Sequence, residues 1–214
     1  PLYVKLLMDA LSGRRLTEGD RLPGAIEEFY DDILDRLAKT GGQDILELLM
    51  CLAVSREQLT TEGLSLMNGW SFVDAQCLIE KCMEVIFEDV DPAGMASYRL
   101  FHDSLSQYLK AHRNYGKLAR DISLRFVEHV IRMYGGNRAP ELRVAAELLF
   151  VGRDLSAIPI VTFHALLECS ARMLTPYSLV LDELLAHRPG ELLPVLGELA
   201  HLPGPATAGL VTSC

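Results

Sequence analysis

The stretch Tyr98-Arg99-Leu100-Phe101-His102-Asp103-Ser104-Leu105 is where residue types and spacing come nearest to a site. A β-prone run closes at Phe101 and a helical run opens at Ser104, so His102 falls where a strand meets a helix N-terminus. An imidazole there stands beside unpaired backbone N–H groups and the positive end of a helix dipole, a corner that suits a phosphate oxygen. Asp103 is placed to accept hydrogen bonds from the next turn's N–H groups and hold the corner rigid. The same residue types also admit a plain reading, a strand-end histidine followed by an ordinary cap.

Other chemistry finds little support. The chain has no Gly-x-x-x-x-Gly-Lys-Ser/Thr, no Gly-x-Ser-x-Gly, no His-Glu-x-x-His and no Cys-x-x-Cys. The nearest approach to a phosphate loop is Gly116-Lys117, but Ala111 stands at the first glycine position and Leu118 at the hydroxyl position. Loop flexibility and the magnesium-binding hydroxyl are therefore both missing. The histidines (102, 112, 129, 164, 187 and 201) are scattered. Neither catalysis nor a metal site is expected of these residues. Cys51, Cys77, Cys82, Cys169 and Cys214 are odd in number and irregular in spacing, and read as buried reduced thiols of a cytoplasmic protein rather than a disulfide or zinc framework.

The corner must be held by its neighbours. Apolar residues at three- and four-residue steps predict helices over residues 2–11, 25–39, 45–54, 60–67 and 71–82. Glu27, Glu28, Asp31 and Asp32 crowd the start of the second, as its dipole favours. Gly41-Gly42 ends it. Residues 45–54 are apolar on nearly every side and belong at the centre of a core. Ser71, with Asp74 three residues on, is an N-cap. Trp70 reads as a plug between helices. Residues 84–90 and 97–101 flank Asp91-Pro92-Ala93-Gly94 and read as a hairpin, followed by a helix over 104–112. Three short helices closed by a two-stranded ribbon describe a winged helix. Beyond it, helices over 117–134, 139–151, 158–174, 177–187 and 190–201 are separated by Gly135-Gly136, Gly152, Pro176 and Pro189-Gly190. Such short connections make neighbours antiparallel, an α-helical array of hairpins. The fold class is thus mainly α: a winged helix, then a helical array.

Half of the 214 residues are hydrophobic, ordinary for a globular chain. No apolar run reaches the ~18 residues of a membrane span. The net charge of -9 lies wholly in residues 1–112, while 113–214 are balanced. An acidic first half disfavours a nucleic-acid backbone as partner. A groove-reading helix over 71–82 would offer only Gln76 and Lys81 beside Asp74 and Glu80. Arg120, Arg125, Arg132, Arg138 and Arg143 could form a basic stripe for a protein partner, or a solvated face balanced by Glu128, Glu141 and Glu147. The chain opens inside an amphipathic pattern at Pro1 and closes at Cys214, and reads as a portion of a longer protein.

The order of elements, with Phe101-His102-Asp103 at the last strand–helix junction, resembles the winged-helix domain of STAND-type signalling ATPases, the NACHT and NB-ARC class. Pro1-Leu2-Tyr3-Val4 is similar to the end of that family's Gly-x-Pro-Leu motif, and Leu22-Pro23 before an acidic amphipathic helix is similar to its step into the winged helix. Phe101 departs from the family's Met. The resemblance implies three parts: residues 1–22 end a helical lid subdomain, 23–112 form the winged helix, and 113–214 begin a helical superstructure. It implies that His102 touches the β-phosphate of bound ADP and that Pro1 packs against the adenine. It further implies ATP or ADP held by an upstream P-loop domain in cis, protein partners or self-assembly on activation, a cytoplasmic setting, and a role in defence or cell-death signalling. The P-loop and magnesium ligands would lie upstream, so neither hydrolysis nor measurable nucleotide affinity is expected of this chain alone.

Overall fold

The computed structural model describes residues 26–112, 115–151 and 158–187. The expectations at Pro1, over residues 2–11 and over 190–201 lie outside these residues. In chain order the elements are α1 (Ile26–Val54), β1 (Leu59–Thr60), α2 (Thr61–Asn68), α3 (Phe72–Cys82), β2 (Ile86–Val90), β3 (Ala96–Leu100), α4 (Asp103–Ala111), α5 (Gly116–Tyr134), a 3-10 turn (Gly136–Arg138), α6 (Ala139–Val151), α7 (Ile160–Ser170) and α8 (Leu174–His187). The fold is mainly helical, with one small antiparallel sheet.

The two helices expected on either side of Gly41-Gly42 run on as α1, broken at Gly42, where φ is 64° and ψ -147°. That backbone region is open almost solely to glycine, so the residue is where the helix turns. Before the break, Phe29, Tyr30, Ile33, Leu34 and Leu37 form a buried stripe at helical spacing. After it, every residue from Leu48 to Val54 is buried, which makes this segment the centre of the first core.

The sheet has the order β1-β3-β2. Ile86 pairs with Leu100 and Val90 with Ala96, so the expected hairpin is present, but β1 adds a third strand that the alternation pattern did not reveal. Asp91 builds the tip: its carboxylate accepts from the N–H groups of Ala93 and Met95, both at 2.8 Å, while Gly94 takes a positive φ. Ser71 caps α3 by accepting from Asp74 N–H at 3.1 Å, and Thr60 caps α2 by accepting from Gly63 N–H. Trp70 is half-buried at the core's edge rather than plugged into it.

In the second half α7 begins and ends inside its expected bounds, and α8 starts three residues early. Pro176 therefore does not separate helices. It sits in the first turn of α8, where the missing N–H costs nothing. Val130, Ile131, Leu142, Leu149, Phe163 and Leu166 are among the residues of a second core, formed by α5 to α8. Helix α5 serves both cores: Ile122 and Phe126 enter the first, Val127, Val130 and Ile131 the second. Among the described residues no helix is long and apolar enough to cross a membrane.

Candidate functional site

The corner after β3 is built by two turns of chain and one residue from far away. The helix starts one residue before its expected first position, so Asp103 is its first helical residue and His102 is the cap. This corrects the assignment of the cap to Asp103. The His102 backbone is extended (φ -148°, ψ 142°), which turns its ring back over the first turn, and Nδ1 accepts from Ser104 N–H at 3.0 Å. Asp103 is exposed, at the position where a carboxylate meets the helix dipole.

A second contact deepens the corner. Ser104 Oγ lies 2.8 Å from His102 Nδ1 and 2.5 Å from the hydroxyl of Tyr30. Tyr30 is only 3% exposed, on the buried stripe of α1. Composition could not have flagged it, because 74 positions separate it from Ser104. His102 itself is half-buried, and its Nε2 has no partner among the described residues. His102 thus stands at the strand–helix junction with Ser104, to which the sequence reading gave no role, as its partner, while Pro1 lies outside the described residues.

From Tyr30 an aromatic series runs along the α1–α4 seam: Tyr30 to Tyr108 at 5.4 Å between ring centres, Tyr108 to His112 at 5.2 Å, and His112 to Tyr115 at 4.8 Å. Tilted stacking at these separations is attractive. The Tyr108 hydroxyl donates to Asp31, and His112 Nε2 lies 3.8 Å from the same carboxylate. Burial and the Asp31 carboxylate together hold the Tyr108 phenol well above its ordinary range.

Elsewhere the candidates thin out. Among the described residues no group of three or more His, Cys, Asp or Glu could hold a metal. One cleft of about 400 Å³ opens between the ends of α1 and α4, the start of α5 and α8. Arg56, Lys110 and Arg120 line it together with Asp182 and Glu183, a mixed set of charges, and His102 is not part of it. Of the arginines weighed as a stripe or a balanced face, Arg125 pairs with Glu47 at 2.6 Å and Asn68 at 2.9 Å, and Arg138 pairs with Glu141, one of the balancing carboxylates, at 3.2 Å.

Of the cysteines, Cys51, Cys82 and Cys169 are buried free thiols, but Cys77 is exposed, against expectation. It occupies the outer face of α3, which sequence spacing alone had joined to an apolar run. Burial pushes the thiols of Cys51 and Cys82 up to about 12.

No family model, no curated protein and no solved structure matches the chain.

Proposed function

We propose that this chain is the regulatory region of a STAND-type, nucleotide-controlled switch, whose winged helix senses the phosphates of ADP or ATP bound to a P-loop domain upstream in cis. The observation that carries the reading is His102: a helix-capping imidazole whose second nitrogen has no partner among the described residues, at the positive end of α4. Such a group supplies one hydrogen bond to a phosphate oxygen, next to backbone N–H groups that favour the same charge. The arrangement α1, β1, α2, α3 and the β2–β3 hairpin, with β1 against β3, supports the winged-helix assignment. Packing of α5, α6, α7 and α8 around a second core supports a helical array after it.

Tests of the parts are separable. In the intact protein, His102→Ala should release ADP roughly 10–100-fold faster, the worth of one hydrogen bond to a charged group, and should favour the assembled, active form. Unchanged ADP release rules out the phosphate contact. The nucleotide would bring its own charge and the P-loop its grip, so the 214-residue chain alone should give no heat on titration with ADP; micromolar binding would contradict the division of labour.

A helical scaffold is the second reading. Val144, Val161 and Leu185 are exposed on α6, α7 and α8, surfaces on which a protein partner or a second copy could rest. The two readings separate on the upstream sequence, where a P-loop supports the switch. A DNA reader is poorly supported. The exposed side chains of α3 include Phe72, Val73, Asp74 and Glu80, with Lys81 the one cation among them, a set that offers little to a phosphate backbone. The buried reduced thiols suit a cytoplasmic setting.

A further inference from the structure

We infer that Tyr30 and Ser104 are positioning residues for His102: together they keep Nδ1 an acceptor and present Nε2–H as a single fixed donor to an anionic oxygen. The inference rests on the reading of His102 as a phosphate contact, and it adds the groups that make the contact selective.

The donor directions follow from one unambiguous bond. A backbone N–H can only donate, and that of Ser104 meets His102 Nδ1 at 3.0 Å, so Nδ1 holds a lone pair and no proton. Ser104 Oγ, 2.8 Å from the same nitrogen, is then the donor in that pair. With its one hydrogen committed, Ser104 Oγ is left to accept from the Tyr30 hydroxyl at 2.5 Å. The relay therefore runs one way, from Tyr30 O–H to Ser104 O–H to Nδ1. The neutral ring must carry its proton on Nε2, the atom without a partner among the described residues.

A helix cap alone requires only the Ser104 N–H. The two hydroxyls add a second donor to Nδ1 and tie it to the core, because Tyr30 is buried with its ring against Phe29 and Tyr108. The ring with its proton on the other nitrogen would aim a lone pair at an incoming phosphate and set the Ser104 N–H against an N–H; it would also reverse both hydroxyls, so that Ser104 donated to Tyr30 and the buried Tyr30 O–H lost its acceptor. The relay disfavours that ring state, and with it any ligand that offers a donor instead of an anionic oxygen.

The test reads the imidazole directly, by long-range proton–nitrogen correlation on the 15N-labelled chain at neutral pH. His102 should appear as one Nε2–H tautomer, in the wild type and in Ser104→Thr, which keeps the hydroxyl. Ser104→Ala and Tyr30→Phe should show a mixture of tautomers, with the signals of His129 unchanged as a check on the fold. An Nδ1–H tautomer in the wild type, or an unaltered His102 spectrum in both variants, overturns the inference. In the intact protein the same two variants should release ADP up to roughly tenfold faster, with Ser104→Thr restoring retention. The tautomer spectrum needs no nucleotide, so it judges the relay alone. A single Nε2–H tautomer beside unchanged ADP release in His102→Ala would sink the phosphate contact and leave the relay standing.

Discussion

At the scale of single residues, His102 illustrates how one position shifts a role. Cap preferences point to Asp103, since a short carboxylate accepts from N–H groups well. The helix instead begins at Asp103, and the longer imidazole of His102 reaches the N–H of Ser104 two positions on. That a strand meets a helix N-terminus here was legible from Leu100-Phe101-His102-Asp103-Ser104; which side chain caps it depended on a one-residue boundary. Tyr30 was beyond reach of any local pattern, because its hydroxyl meets Ser104 only after α1 and α4 pack. The cysteines make a separate prediction. Cys77 is exposed, whereas Cys51 and Cys82 are buried with thiols raised to about 12. Thiolate is the reactive species. Brief iodoacetamide treatment of the native chain near pH 8, followed by peptide mass spectrometry, should therefore label Cys77 well before either Cys51 or Cys82. Equal labelling would mean that the first core opens readily.

At the scale of elements, periodicity located most helices to within a few residues, because their apolar stripes face one side. It missed β1, which has two residues and no room to alternate. It did place a break at Gly41-Gly42, and the two helical parts of α1 are separated there by the non-helical Gly42. This yields a clean stability test. A Cβ at position 42 would meet nothing within 4 Å, so Gly42→Ala perturbs the backbone conformation alone. With φ at 64° and ψ at -147°, the substitution should cost about 1–3 kcal/mol in urea unfolding. Gly63→Ala, within α2 and at ordinary helical φ, should be neutral or slightly stabilising by ~0.5 kcal/mol. If the two behaved alike, backbone strain at Gly42 would not be what bends α1. The hairpin adds its own clamp: Arg99 lies 4.6 Å over the ring of its cross-strand partner Phe87.

At the scale of the whole molecule, the first core does not stop where the hairpin-and-helix pattern does. Ile122 and Phe126 belong to it, although they follow the boundary that composition suggests near residue 112. A polar strap reinforces the join. Arg125 on α5 donates to Glu47 on α1 and to Asn68 at the end of α2, and Asn68 also bonds the Leu64 carbonyl at 2.9 Å. The side chains of Arg125 and Glu47 are 35% and 18% exposed, so solvent weakens the pair. Arg125→Ala should accordingly cost about 2 kcal/mol, below the roughly 3–5 kcal/mol of a fully buried pair. Chemical unfolding should show one transition for both cores; two resolved transitions would mean that α5 does not couple them. At the far end, Arg56 reaches Asp182 at 3.1 Å and Thr175 accepts from its backbone N–H at 2.9 Å, which fastens α8 to the end of α1.

The nineteen residues of α5 give this shared helix a length of about 28 Å. Because its two faces are embedded in different cores, it cannot bend without disturbing both. In a protein that turns about the His102 corner, α5 would act as a lever: a small rotation at a bound phosphate would sweep α6, α7 and α8 through a wide arc, delivering the signal by rigid leverage instead of by local unfolding.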